Sequence, residues 1–151
     1  MTFILSGCLK EQSAVDNDLT VDEAKQSTQS VEILIADAIP LQFVDSVAQK
    51  PKGLFLSCGQ GGHSWTGSLR VEIIGNPQAE EVLGPVVAEF AGRDDFSTSM
   101  RQAQGDAIVD VRSGEGGLWI VRYLREDGLV VIHSGSPCFH LPDDIWPGDH
   151  Y

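Results

Sequence analysis

Four stretches rich in β-formers follow one another in the second half of the chain, at residues 96–101, 107–112, 118–125 and 129–134. They are joined by links such as Ser113-Gly114-Glu115-Gly116-Gly117 and Glu126-Asp127-Gly128, which are long enough only to reverse direction. Consecutive strands joined so tightly must be antiparallel, because a parallel return needs a crossover of a dozen residues or more. This run excludes a doubly wound parallel sheet and an all-helical bundle. The first half must therefore supply whatever covers such a sheet.

The covering elements are legible. Thr20-Val21-Asp22-Glu23 has the form of a capping box, and Val31, Leu34, Ile35, Ala38 and Ile39 follow at helical spacing until Pro40. The pattern predicts a helix over 21–39, and a shorter helical turn is expected around 43–48, before Pro51 and Gly53. Residues 54–58, Leu-Phe-Leu-Ser-Cys, form an apolar run suited to a buried strand or to the start of one. Gly59-Gln60-Gly61-Gly62 turns the chain into a further strand at 65–74. Asn76-Pro77 reads as the cap and first position of a second helix, with Val82, Val86 and Phe90 on one face and Gly92 at its end. Pro85 lies inside it and is expected to kink it. The prediction is an α+β fold: an antiparallel β-sheet of about five strands with two main helices packed on one face.

The 151 residues suit one domain, with 42% hydrophobic residues as in globular chains. No apolar run approaches the roughly 18 residues needed to span a bilayer. The formal charge is −12, from 22 acids against 10 basic side chains, with the excess spread along the chain. Such a field repels phosphate backbones and anionic headgroups, so nucleic-acid binding is not expected.

Leu5-Ser6-Gly7-Cys8 matches a bacterial lipoprotein signal, in which an aliphatic and two small residues precede the cysteine that receives a diacylglyceryl group. On this reading residues 1–7 are the remnant of a signal peptide. Residues 8–19 are then a lipid-bearing N-terminus and polar tether, and residues 20–151 a single α+β domain. A secretory signal has a basic start and an apolar stretch of about 7 to 15 residues. A longer basic and apolar segment is thus expected upstream of Met1. The competing reading is a cytosolic chain with a chance cysteine near its start. The cysteine count bears on the choice: with Cys8 lipidated, Cys58 and Cys138 remain as a pair. Their bridge would close a loop worth about 4 to 4.5 kcal/mol in the chain-entropy picture. Two reduced, buried thiols are the alternative.

The succession of lipobox, N-terminal helix, Cys58, central helix, strand meander and Ser136-Pro137-Cys138 resembles small actinobacterial-type lipoproteins, a family of unknown function. The resemblance implies a cell-membrane location, lipid-anchored on the extracytoplasmic side, and an α+β fold. It brings no catalytic residue with it.

Motifs for chemistry are thin. Gly62-His63-Ser64-Trp65-Thr66-Gly67 is one residue too long for a nucleophile elbow and leads into a strand rather than a helix. Gly59–Gly62 lacks the Gly-Lys-Ser/Thr of a phosphate loop. Glu80, Glu81, Asp94 and Asp95 lie at helix ends, where the helix dipole accounts for them. His140, Asp143, Asp144, Asp149 and His150 gather in the C-terminal segment without the spacing of a dedicated metal site. Trp119 and Tyr123 share one strand face and read as packing residues. Trp146, between Asp144 and Pro147, is a candidate partner contact. No cofactor is implied. The expectation is a non-enzymatic binding module whose only membrane contact is its lipid, with a protein or small-molecule partner. The rivals are a small metal-binding protein or hydrolytic enzyme using the C-terminal His/Asp cluster, and an accessory subunit of a membrane complex.

Overall fold

In the computed structural model, which describes residues 14–151, two helices lie on one face of a seven-stranded antiparallel sheet. Helix α1 (Val21–Ala38) begins on the capping box: the Thr20 hydroxyl accepts from the Glu23 amide at 3.2 Å, and the Glu23 carboxylate accepts from the Thr20 amide at 3.2 Å. Two amide donors that a first helical turn leaves free are thus occupied. A 3-10 turn (Leu41–Phe43) leads to β1 (Val44–Gln49), β2 (Leu54–Gly59) and β3 (Gly62–Ile73). Helix α2 (Ala79–Ala91) precedes the meander of β4 (Phe96–Ala103), β5 (Asp106–Ser113), β6 (Leu118–Leu124) and β7 (Leu129–Gly135). The sheet order is β1-β3-β7-β6-β5-β4, and β2 pairs with the first half of the long β3 while β1 pairs with its second half.

The α+β class and the meander are as expected; several local expectations are corrected. The helical turn expected around 43–48 falls earlier, at Leu41–Phe43, and residues 44–48 are part of β1, because a ladder to β3 satisfies their backbone groups. With β1 and β2 both distinct from β3, the sheet has seven strands rather than about five. The 54–58 run is a strand, but only Phe55 is buried; Leu54 and Leu56 are 46% and 59% exposed, on the opposite face. Asn76 does not cap α2. It takes φ +47°, a left-handed conformation that Asn tolerates, and the cap is Gln78, whose amide donates to Glu81 at 2.7 Å. The helix runs on through Pro85 to Ala91.

The main core lies between the helices and the sheet. Ile35 of α1, Ile39 that caps its C-terminus, and Val82, Val86 and Phe90 of α2 meet alternate residues of the central strands, among them Leu69, Val71, Val109, Val121 and Ile132. Trp119 and Tyr123 share this face, and both find acceptors: Trp119 Nε1 donates to the Thr28 carbonyl at 3.0 Å and the Tyr123 hydroxyl to the Pro77 carbonyl at 2.8 Å.

A second cluster of Val21, Ala24, Phe55, Trp65 and Phe139 sits beyond the end of the meander. The C-terminal segment closes it. Phe139 exchanges backbone hydrogen bonds with His63, and Tyr151 does the same with Gly53. The Tyr151 hydroxyl donates to Asp22 at 2.6 Å, and the Trp65 indole donates to the Tyr151 carbonyl at 3.0 Å. Cys58 and Cys138 form the expected disulfide, with their Cα atoms 6.0 Å apart.

Candidate binding face of the sheet

Both helices cover the same side, so the residues that alternate with the core set emerge on a bare face. At the β4 end this face is closed by charge. Arg101 meets Asp110 at 2.7 Å and Arg122 meets Asp106 at 2.6 Å, on opposite sides of Ile108. Ile108 is 2% exposed although no helix covers it. Arg101 and Arg122 are its register partners on either side, so their aliphatic stems are placed to shield it while their charged ends are matched.

Toward β2 the face opens into two adjoining hollows. One, of about 350 Å³, is lined by Leu56, Thr66, Leu118, Ile120, His133 and Gly135. The other, of about 320 Å³, is lined by Lys50, Lys52, Leu54, Thr66, Ser68, His133 and His150. They share Thr66, Gly67 and His133 and so form one groove with an apolar half and a basic half. Among the described residues no Asp or Glu lines either half. Leu118 and Ile120 alternate with Trp119 and Val121, which makes β6 apolar on both faces at this end. That doubled pattern is the one sequence signal of the groove. The basic residues come from the link after β1, from β7 and from the C-terminal segment, and only the fold brings them together.

Behind the groove lies a buried carboxylate. Glu32 of α1 is fully buried against the sheet, where its Oε1 accepts a short hydrogen bond from the Ser134 hydroxyl and its Oε2 accepts from Gln49 Nε2 at 2.8 Å. Gly67 makes room for it, since a Cβ there would stand 2.8 Å from Glu32 Oε1. Burial pushes the Glu32 carboxyl above its ordinary 4.5, against the two hydrogen bonds that favour the charged form. Ser134 is itself buried and donates to a carboxylate without a histidine, so the pair lacks the relay of a nucleophilic site.

The sign of the pH effect follows. A carboxyl held protonated to higher pH in the fold stabilises fully below 4.5, and that contribution is lost as pH rises through the folded value. Glu32→Gln keeps the shape and removes the charge. Its stability relative to the unaltered protein is expected to increase as pH rises above 4.5 and to level off once the folded carboxyl has ionised, as read by urea unfolding across pH. A difference flat with pH would show that the buried carboxyl carries no such burden.

Of the residues singled out in the sequence, Cys8 lies outside the described residues. Cys58, on β2, is joined to Cys138, which follows β7. Trp146 is 69% exposed in the C-terminal segment. His140, Asp143, Asp144 and His150 are all exposed. Among the described residues no three His, Cys, Asp or Glu side chains stand together as a metal site. Ser64 sits within β3, in strand rather than in an elbow. Among the described residues no helix is long and apolar enough to cross a membrane.

Fold and groove together define a two-layer α+β sandwich with one uncovered sheet face. In comparisons with family models, curated proteins and solved structures, the chain has no match.

Proposed function

We propose that this chain is a lipid-anchored, non-enzymatic binding module of the small actinobacterial lipoprotein type, held at the outer face of the cytoplasmic membrane and working through its uncovered sheet face. The observation that carries this reading is the groove itself. Leu54, Leu56, Leu118 and Ile120 border it on the side of the sheet away from the helices, where burying them would stabilise a complex and exposing them stabilises nothing. The Cys58–Cys138 bridge supports the compartment, since such bonds persist outside the reducing cytosol. The buried Glu32–Ser134 pair supports a structural rather than catalytic polar centre.

The test is intact-mass analysis of protein extracted from membranes. The expected mass is that of a chain beginning at Cys8 with a diacylglyceryl group, less the hydrogens lost to the disulfide. Cys8→Ser is expected to release the protein from the membrane fraction. A chain recovered from the cytosol, with all three thiols open to alkylation, would end the proposal.

A further inference from the structure

We infer that the groove takes a single-chain amphiphile with a phosphate head, its chain on the apolar half and its head on the basic half. The inference rests on the binding-module reading and specifies its ligand.

Charge is the first argument. In a chain of net −12, with 22 acids against 10 basic side chains, the basic half gathers Lys50, Lys52, His133 and His150 with no Asp or Glu among the described residues that line it. The ion pairs among the described residues are Arg93–Glu89, Arg101–Asp110 and Arg122–Asp106, and neither lysine belongs to one. Two lysines that belong to no ion pair among the described residues, beside the Ser68 hydroxyl, offer point charges and a hydrogen bond suited to a phosphate monoester. The Thr66 hydroxyl donates to the Leu54 carbonyl at 3.0 Å and shapes the floor between them. The nearest buried acid, Glu32, is on the other side of the sheet behind Gly67. It accepts from Ser134 and Gln49 there and does not enter the groove.

Shape is the second argument. From Leu56 on β2 through β3 and β7 to Leu118 on β6 the apolar half crosses three strand spacings, about 14 Å. Glycine at 135 keeps the middle of that path low: a Cβ there would meet nothing, so the absent side chain leaves open space rather than relieving a clash. One acyl chain laid across the strands fits this track. A large acidic protein surface would meet only the basic half and leave the leucines in water. A free phosphate ion would use the lysines alone.

The experiment is calorimetric titration of the full chain carrying Cys8→Ser, so that no attached lipid competes. The probes are decyl phosphate below its micellar concentration, decanol and inorganic phosphate. Decyl phosphate is expected to bind saturably at one site per chain, at least about tenfold tighter than either other probe. Lys50→Gln with Lys52→Gln is expected to weaken decyl phosphate about tenfold or more and leave decanol unchanged. Leu118→Ser is expected to weaken both chain-bearing probes. Equal affinity for decanol would reduce the site to an apolar patch, equal affinity for inorganic phosphate would reduce it to an anion site, and either would overturn the inference. So would the absence of saturable binding, or a stable dimer dissociated by Leu118→Ser, which would assign the face to a second copy. Because the anchor is read from the mass at Cys8, a lipidated protein that ignores decyl phosphate overturns the ligand alone. Binding by a protein never lipidated overturns the address alone.

Discussion

Replacing Cys58 and Cys138 together by alanine is expected to lower the unfolding free energy by about 4 to 4.5 kcal/mol. The bridge spans a sequence separation of 80 residues, so its removal frees the unfolded chain from a long constraint. A domain of this size holds only about 5 to 15 kcal/mol in total, so the loss is a large share and should lower the melting temperature by about 10 to 20 °C. The folded state has its own stake. The Cys138 sulfur fills the space beside Gly62, where a Cβ would lie 2.5 Å from it, and Cys138 is 3% exposed. It also fixes Phe139 against His63 and thereby closes the second core cluster. Urea unfolding of the double variant against the oxidised protein measures the effect. A loss below about 1 kcal/mol would mean that the C-terminal segment holds its place without the bridge.

Trp65→Ala is expected to cost about 3 to 5 kcal/mol, the range for emptying a large aromatic site in a core. Trp65 is 0% exposed at the centre of the second cluster, and its indole N–H anchors the Tyr151 carbonyl. Two glycines frame the ring. A Cβ at Gly53 would come within 2.7 Å of the indole, and one at Gly67 would overlap it outright. Gly67→Ala alone should therefore cost about 1 to 3 kcal/mol through overpacking. In the Trp65→Ala background the same change should cost less, because the ring it strikes is gone. The double-mutant cycle is the measurement. Additivity within about 0.5 kcal/mol would show that the indole is not what forbids a side chain at 67.

These effects fall in a region that local pattern describes poorly. Trp65 to Ile73 reads as strand from its β-formers, yet nothing near it in sequence says that Trp65 will pack against Tyr151 and Phe55. Contacts across 86 residues, as between Trp65 and Tyr151, leave no periodic trace. The C-terminal segment, rich in Pro, Asp and Trp, suggests a solvated tail. It instead closes a core cluster, with Leu141, Ile145 and Tyr151 packed inward and Trp146 left outside. The 44–48 stretch fails for a related reason. Its burial pattern, exposed through the middle of the strand, gives no alternation to read, and only the ladder to β3 makes it a strand.

Where hydrogen bonds close within a few residues, the chain carries its own instructions. The Thr20 box, the stripe from Val31 to Ile39 and the Gly-rich reversals after β5 and β6 depend on neighbours within a turn or a hairpin. Helix α1, the antiparallel meander and the α+β class follow from sequence for that reason. The pairing of Cys58 with Cys138 follows from counting once Cys8 is set aside. The remainder waits on distant partners. Burial of Glu32, convergence of Lys50, Lys52, His133 and His150, and the choice of which sheet face stays bare are decided when the layers pack. Desolvation and charge proximity are properties of the assembled fold, and no single segment contains them.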